Sequence, residues 1–209
     1  MKCFLCNERK AKRYCPAKTR YICAVCCGEK RGIEINCPDD CRYFINGQNY
    51  QQKKITNLRI KKDGIVAYQK KAELYRKDPQ LFAKIEFALV DAYNQNNRLL
   101  NEDVVSALQI VLKTLKSESK GLLYKHKSED MVINDLADIL ENEVTELKNN
   151  EEINLSAATN FAKDVIDDFL SEAKFYNDQN TDKSSYLIHL ARFHKDRPGG
   201  RAVKSKIII

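Results

Sequence analysis

The chain has no cysteine after Cys41, no tryptophan and no histidine before His126. It also lacks the phosphate-binding signatures G-x-x-x-x-G-K-[ST] and G-x-G-x-x-G, and the nucleophile signature G-x-S-x-G. These absences leave nucleotide binding and α/β-hydrolase chemistry without support. A catalytic zinc usually has histidine or carboxylate ligands and an open position, so the absence of early histidines disfavours that class as well. We therefore expect a protein without enzymatic activity.

No apolar run approaches the length of about 18 residues that a membrane-spanning helix requires. The amino terminus, Met1-Lys2-Cys3, is not followed by the apolar segment of a secretory signal peptide. We therefore expect a cytoplasmic protein with no membrane partner. Thiols stay reduced in the cytoplasm, where clustered cysteines bind metal more often than they form disulfides.

All eight cysteines lie within the first 41 residues. The spacing Cys3-x2-Cys6 and Cys23-x2-Cys26 is typical of zinc knuckles. A segment of about 40 residues has too little apolar core to fold alone, and structural zinc supplies the missing free energy. We expect Tyr14 among the few apolar residues of that core. An iron–sulfur cluster and a disulfide framework are the less favoured alternatives. We predict two structural Zn²⁺ ions per chain, bound by Cys3, Cys6, Cys15, Cys23, Cys26, Cys27, Cys37 and Cys41.

We predict an interleaved pairing of these ligands. Cys3, Cys6 and Cys23 bind one metal together with either Cys26 or Cys27. The second metal takes the remaining member of that adjacent pair, together with Cys15, Cys37 and Cys41. Pro38, Asp39 and Asp40 are typical of a helix start, so Cys37 and Cys41 are expected to share one helical face, as in a treble-clef finger.

The motifs Cys3-x2-Cys6, Tyr14-Cys15-Pro16 and Tyr21-x-Cys23-x3-Cys27 resemble the HIT-type zinc finger, which is related in layout to B-box and MYND fingers. The resemblance covers about 40 of the 209 residues and implies a cross-braced, two-zinc module for protein–protein contacts. Lys18–Thr19 stands where the family has a fourth cysteine, and Cys37 and Cys41 replace a histidine–cysteine end. Cys26 then supplies the missing ligand. The run from Ile22 to Cys41 also looks like a group of uncharacterised bacterial zinc-finger proteins.

After Cys41 the apolar residues recur at helical spacing, and glycine and proline are scarce beyond residue 79. We predict a mainly α fold, in which a zinc-binding domain at 1–45 precedes a bundle of five or six helices at 46–196 and a basic flexible tail at 197–209. The expected helices are a long one over 46–76 that Gly64 weakens, followed by helices starting at Asp78-Pro79, Asn101, Ser128, Ser156 and residue 184.

Charge is distributed unevenly along the chain. Residues 1–42 carry 10 basic and 5 acidic side chains, but eight thiolates and two Zn²⁺ ions would add a charge of about −4. The metal-bound finger is therefore close to neutral. Residues 43–77 carry 9 basic and 2 acidic side chains, whereas residues 78–180 carry 10 and 20. The basic part of the chain is thus the segment that follows the finger.

This basic segment allows two interpretations. Clustered lysine and arginine neutralise phosphates, and the neighbouring Tyr50, Tyr68 and Tyr75 can stack on exposed bases. Alternatively, the helix is solvated or packs on the acidic residues 129–152. The candidate nucleic-acid contacts are Lys53, Lys54, Arg59, Lys61, Lys62, Lys70 and Lys71.

The first functional hypothesis is a non-enzymatic adaptor whose finger and helical bundle contact a partner protein, because a near-neutral finger resembles the fingers that bind proteins. The alternative is a protein that binds RNA or DNA through the basic helix 53–77. The sequence identifies neither the partner nor the oligomeric state.

Overall fold

The computed structural model describes residues 1–32, 34–38, 40–148, 154–178 and 183–194. The predicted tail at 197–209 lies outside these residues. The chain divides into two compact units, one of which runs from Met1 to Ile65 while the other begins at Val66. The sequence pattern placed the boundary after residue 45 instead, because the change from cysteine-rich to helical sequence comes earlier than the end of the first compact unit.

The first unit begins with a small hairpin. Strand β1 (Arg13–Cys15) pairs antiparallel with strand β2 (Arg20–Ile22), and Tyr14 lies directly opposite Tyr21. A single 3₁₀ turn over Pro16–Lys18 joins the strands. Helix α1 (Ala24–Lys30) follows directly, and helix α2 (Arg42–Asp63) ends the unit. The core of this unit contains Ile22, Ile35 and the buried cysteines, against which Leu5, Tyr43 and Phe44 pack.

Helix α2 begins at Arg42, four residues before the long helix predicted over 46–76 and after the helix start expected at Pro38. Cys41 is its N-cap, and the Cys41 N–H donates to the Pro38 carbonyl at 3.0 Å in the turn before the helix. The prediction that Cys37 and Cys41 share one helical face is therefore wrong. The helix ends at Gly64, as expected. The φ of Gly64 is 85°, a backbone angle that residues other than glycine rarely adopt.

The described residues of the second unit form helices and the loops that connect them. Its helices are α3 (Ile65–Lys77), α4 (Pro79–Gln95), α5 (Asn101–Glu118), α6 (Met131–Lys148), α7 (Leu155–Asp178) and α8 (Ser185–Phe193). The first residue of α3, Ile65, is counted with the first unit. Helix α5 is central and packs on α6 and α7, while α4 packs on α6 and α8. The prediction of a mainly α protein with a small cysteine-rich unit is confirmed. Among the described helices, none combines the length and the apolar character needed to cross a bilayer.

The helices of the second unit begin close to the starts predicted from the sequence. Asp78 caps α4, because its carboxylate accepts the Leu81 N–H at 2.9 Å, and Pro79 follows as predicted. Ser128 and Ser156 were expected to begin helices but do not. The carboxylate of Asp130 accepts the Val132 N–H at the start of α6, and Asn154 accepts the Ser156 N–H at the start of α7. The starts of α4, α5, α6, α7 and α8 thus lie within three residues of their predicted positions.

Helix α8 is attached to α5 by a buried polar cluster. The Asn101 side chain is fully buried, accepts the Tyr186 N–H at 3.0 Å and donates to the Ser185 hydroxyl at 3.1 Å. Nearby, the Ser184 hydroxyl donates to the Leu99 carbonyl at 2.7 Å. The Asn101 side chain therefore accepts a backbone N–H in the first turn of α8, as the side chain of an N-cap residue does. Asn101 lies 85 residues before Tyr186 in the sequence.

Replacement of Asn101 by alanine is expected to destabilise the helical unit by about 2 kcal/mol, because the buried Tyr186 N–H would lose its acceptor. Urea unfolding followed by circular dichroism measures this as a lower midpoint at an unchanged slope. Asn142→Ala, on the exposed surface of α6, is the matched control and should change stability by less than about 0.5 kcal/mol. Equal effects of the two substitutions would show that the buried cluster contributes nothing.

Candidate metal centre

Four cysteine sulfurs come together in the first unit. The Sγ atoms of Cys3, Cys6, Cys23 and Cys26 all lie within 4.8 Å of one another. A tetrahedral zinc bound at about 2.3 Å from each sulfur requires sulfur–sulfur separations of about 3.8 Å. The four thiols are therefore arranged as a tetrathiolate metal site requires. Of the two adjacent cysteines that the sequence left open as the fourth ligand, the structure places Cys26 in this group.

Backbone turns present the first two ligands. The Cys3 N–H donates to the Arg9 carbonyl at 2.8 Å, and the Asn7 N–H donates to the Cys3 carbonyl at 2.8 Å. Asn7 has a φ of 55°, in the left-handed region that asparagine tolerates better than most residues. The chain reverses tightly around Cys6, so that both sulfurs of Cys3-x2-Cys6 face the same point.

The other two ligands lie at the start of α1. Cys23 is the N-cap of this helix, and Cys26 lies in its first turn, so their side chains are close by helical geometry. The Cys26 N–H donates to the Cys23 sulfur at 3.3 Å, and the Cys23 N–H donates to the Cys3 sulfur at 3.1 Å. These N–H···S bonds stabilise thiolates. The helix-start pair expected at Cys37 and Cys41 is thus found at Cys23 and Cys26.

Ionisation of the four thiols is uneven. Burial disfavours the Cys3 thiolate, but N–H groups of Cys23, Cys6 and Leu5 outweigh burial and lower the pKa of Cys3 to about 6. Burial and the neighbouring thiols raise the pKa of Cys26 to about 12. Four thiolates at this spacing repel one another, and a divalent cation removes that repulsion. The chemistry of the donor set therefore suits a soft divalent metal such as zinc.

The remaining four cysteines also lie near one another. Cys15, Cys27 and Cys37 are buried in the same core, and Cys41 is partly buried. Burial raises the pKa of Cys37, an N–H bond from Gly32 opposes that rise, and the thiols of Cys41, Cys15 and Cys27 add to it. Among the described residues, only the sulfurs of Cys3, Cys6, Cys23 and Cys26 form a group within 4.8 Å of one another. The sulfurs of the remaining four cysteines are therefore further apart than those of the first set.

The predicted nucleic-acid contacts fall into two groups. Lys53, Lys54, Lys61 and Lys62 are exposed on α2, where Arg59 pairs with Asp63 at 3.5 Å. The other two lysines, on α3, face acidic residues of α7. Lys70 pairs with Asp164 at 3.3 Å, and Lys71 pairs with Asp168 at 3.2 Å and also with Glu172.

The basic stretch therefore packs in part on acidic residues, and the pairs of Lys70 and Lys71 given above are with α7; packing on residues 129–152 was one alternative from the sequence. The acidic residues of α6 pair elsewhere. Glu146 pairs with Lys84, while Asp138 and Glu141 pair with Lys125. Sequence spacing alone placed acidic residues on both helices and could not decide which helix faces α3.

Two exposed surfaces were missed by sequence reasoning. One is the outer side of the hairpin, where Tyr14 was expected in the finger's core but is 49% exposed. Strand alternation gives the signal, because Tyr14 precedes the buried Cys15 and must point the other way. The second is the loop after α5, where Leu122, Leu123 and Tyr124 face solvent.

Comparison with protein families, with curated proteins and with solved structures finds no match to this chain.

Proposed function

We propose that the chain is a zinc-binding, non-enzymatic adaptor of the cytoplasm whose finger and helical unit contact a partner protein. The observation that carries this proposal is the loop Leu122-Leu123-Tyr124, in which Leu123 is 96% exposed and its two neighbours are more than half exposed. Three consecutive apolar side chains in solvent cost free energy that a partner surface recovers on binding. We refer to these three residues as the apolar loop.

Firm attachment on both sides supports a binding role for the apolar loop. Gly121, with a φ of 78°, ends α5 in a Schellman motif, in which the Leu122 N–H donates to the Ser117 carbonyl at 3.0 Å. The Tyr124 N–H then donates to the Leu122 carbonyl at 3.0 Å, so Leu123 stands at the tip of a three-residue turn.

The chain after the tip is held as well. Lys125 pairs with Asp138 at 2.9 Å and with Glu141 at 2.8 Å, and the His126 N–H donates to the Thr114 hydroxyl at 3.1 Å. A loop fixed to α5 and α6 loses little conformational entropy on binding. Preorganisation of this kind is typical of an apolar binding anchor and is not needed for a solvated connection.

Replacement of both Leu122 and Leu123 by serine is expected to release a partner protein that the native chain retains through purification. The measurement is affinity purification of the tagged chain, followed by mass spectrometry of what stays bound. Val66→Ser is the matched control, because Val66 is an apolar residue outside the apolar loop and is 74% exposed. A companion that survives the double substitution, or that Val66→Ser also removes, would contradict the role of the apolar loop.

The proposal for the finger is a cross-braced module that binds two structural zinc ions. The first zinc would take Cys3, Cys6, Cys23 and Cys26. The proximity of Cys15, Cys27 and Cys41 to Cys37 supports a second site in the same small core. Zinc would serve folding in both sites, because four cysteine ligands leave no open position for a substrate. This agrees with an adaptor that is not an enzyme.

The second candidate function is nucleic-acid binding, and exposure of the α2 lysines favours it. Lys53, Lys54 and Lys61 lie on the solvent side of α2, in the same unit as the finger. Phosphate contacts by these lysines would give salt-dependent affinity. Because Lys70 and Lys71 pair with α7, we limit this candidate to the α2 part of the predicted basic helix.

A further inference from the structure

We propose that the outer side of the β1–β2 hairpin binds single-stranded nucleic acid by stacking bases on its exposed rings. The proposal concerns a site apart from the apolar loop and does not depend on the partner protein. It shares only the class of ligand with the second candidate function. The site, called the hairpin patch below, consists of Phe4, Lys12, Tyr14, Arg20 and Tyr21.

Three aromatic rings define the hairpin patch. Tyr14 and Tyr21 are opposite each other in the strand ladder, 49% and 46% exposed, with ring centroids 5.4 Å apart. The Phe4 N–H donates to the Tyr21 carbonyl at 3.1 Å, which fixes Phe4, 52% exposed, beside β2. The opposite side of the hairpin carries Cys15 and Ile22 into the core, so the metal-bearing core sets the orientation of the rings.

Cations border these rings. Arg20 lies opposite Cys15 in the ladder, so its side chain starts on the other side of the hairpin, but it is exposed and its guanidinium lies 5.9 Å from the centre of the Phe4 ring. Lys12 donates its N–H to the Ile22 carbonyl at 3.1 Å and lies two residues before Tyr14, so its side chain is on the tyrosine side of the ladder. Residues 8–22 carry six basic side chains and the single acid Glu8. The net charge of the metal-bound finger is therefore close to zero, but its positive charge is concentrated on the hairpin.

This combination selects one class of ligand. An acidic peptide would satisfy the cations, but carboxylate side chains offer no flat face to the three exposed rings. A nucleic-acid strand supplies a base and a phosphate in every nucleotide, which matches rings interleaved with cations. In a duplex the bases are stacked on each other, so only a single strand can present them to Tyr14 and Tyr21. Stacking and phosphate contacts do not depend on which base is bound, so we expect binding of both RNA and DNA strands.

The test is fluorescence anisotropy of the full-length, zinc-loaded chain with labelled mixed-sequence strands of RNA and of DNA, and with the matching duplex. We expect binding to both strands that weakens as salt rises from about 50 to about 200 mM. Duplex binding should be at least about tenfold weaker. Tyr14→Ala combined with Tyr21→Ala should weaken strand binding by about tenfold or more, since each stacked ring is worth a factor of about 5 to 150.

Two controls separate stacking from folding and from the α2 lysines. Tyr14→Phe combined with Tyr21→Phe keeps the ring faces and should keep the affinity, while zinc content reports an intact finger. Tyr50→Ala removes a tyrosine that is 65% exposed on α2 and should leave the affinity unchanged.

Several results would overturn the proposal. These are the absence of strand binding at low salt, equal binding of strand and duplex, or unchanged affinity after loss of both rings. Loss of binding on Lys53→Ala and Lys54→Ala with no effect at the tyrosines would transfer the ligand to α2. Capture of a protein, but of no nucleic acid, in a manner that depends on Tyr14 and Tyr21 would show that the hairpin patch is a protein contact.

Discussion

Cys26→Ser is expected to reduce the zinc content from two ions per chain to one and to unfold the finger. The serine hydroxyl is a poor zinc ligand, so the set of Cys3, Cys6, Cys23 and Cys26 would lose its fourth thiolate. Structural zinc contributes about 10–16 kcal/mol to the folding of isolated zinc-finger peptides, which exceeds what the few apolar residues of this core can supply.

Elemental analysis of the purified chain measures the zinc content, and hydrogen exchange measures the order of residues 1–41. Cys3→Ser should match Cys26→Ser, because both ligands belong to one set. Cys27→Ser should remove the other ion. Ala24→Ser is the matched control, since it adds a serine beside Cys23 without removing a ligand, and it should retain both ions. One zinc ion in the native chain, or full zinc retention in Cys26→Ser, would contradict the two-site proposal.

Phe169→Ala is expected to destabilise the helical unit by about 4 kcal/mol. Phe169 lies on α7 with only 2% of its surface exposed, and its ring centre is 5.4 Å from that of the buried Phe82 on α4. Removal of this ring leaves a cavity where two helices meet, and neither backbone can close it without moving the whole helix. Urea unfolding monitored by circular dichroism gives the change in free energy.

Phe193→Ala serves as the control, because Phe193 is exposed on α8 and its loss should cost under about 1 kcal/mol. Zinc content should be unaffected by either substitution, since neither residue belongs to the unit that carries the cysteines. A loss in Phe169→Ala no larger than that in Phe193→Ala would mean that the α4–α7 contact does not support the unit.

Spacing in the sequence predicted one metal site almost completely. Cys3-x2-Cys6 and Cys23-x2-Cys26 contain the site in their spacing, because a two-residue gap brings two sulfurs to one side of a turn. The choice between Cys26 and Cys27 could not be made this way. It depends on the rotation of α1, in which successive side chains differ by about 100°, and that rotation is set by where Cys23 caps the helix.

Helical periodicity also predicted the helices of the second unit and most of their starts. It could not predict which faces meet. The acidic residues on α6 and on α7 have similar spacing, and those of α7 pair with Lys70 and Lys71. Contacts of this kind depend on the arrangement of whole helices, which the apolar stripe of a single helix does not specify. The exposed Tyr14 was mistaken for a core residue for a related reason, since composition was weighed above strand alternation.

The cluster around Asn101 restricts which substitutions the chain tolerates. The group that needs an acceptor at the start of α8 is the backbone N–H of Tyr186, and no change of side chain within α8 removes it. An aspartate at position 101 would accept this bond but would bury a charge, and alanine would leave the bond unmade. The amino-acid requirement for the start of α8 is therefore located outside α8, at a single position in the first turn of α5. Position 101 is therefore restricted to asparagine by a bond to α8, in addition to the restriction that the core places on the buried residues of α8 itself.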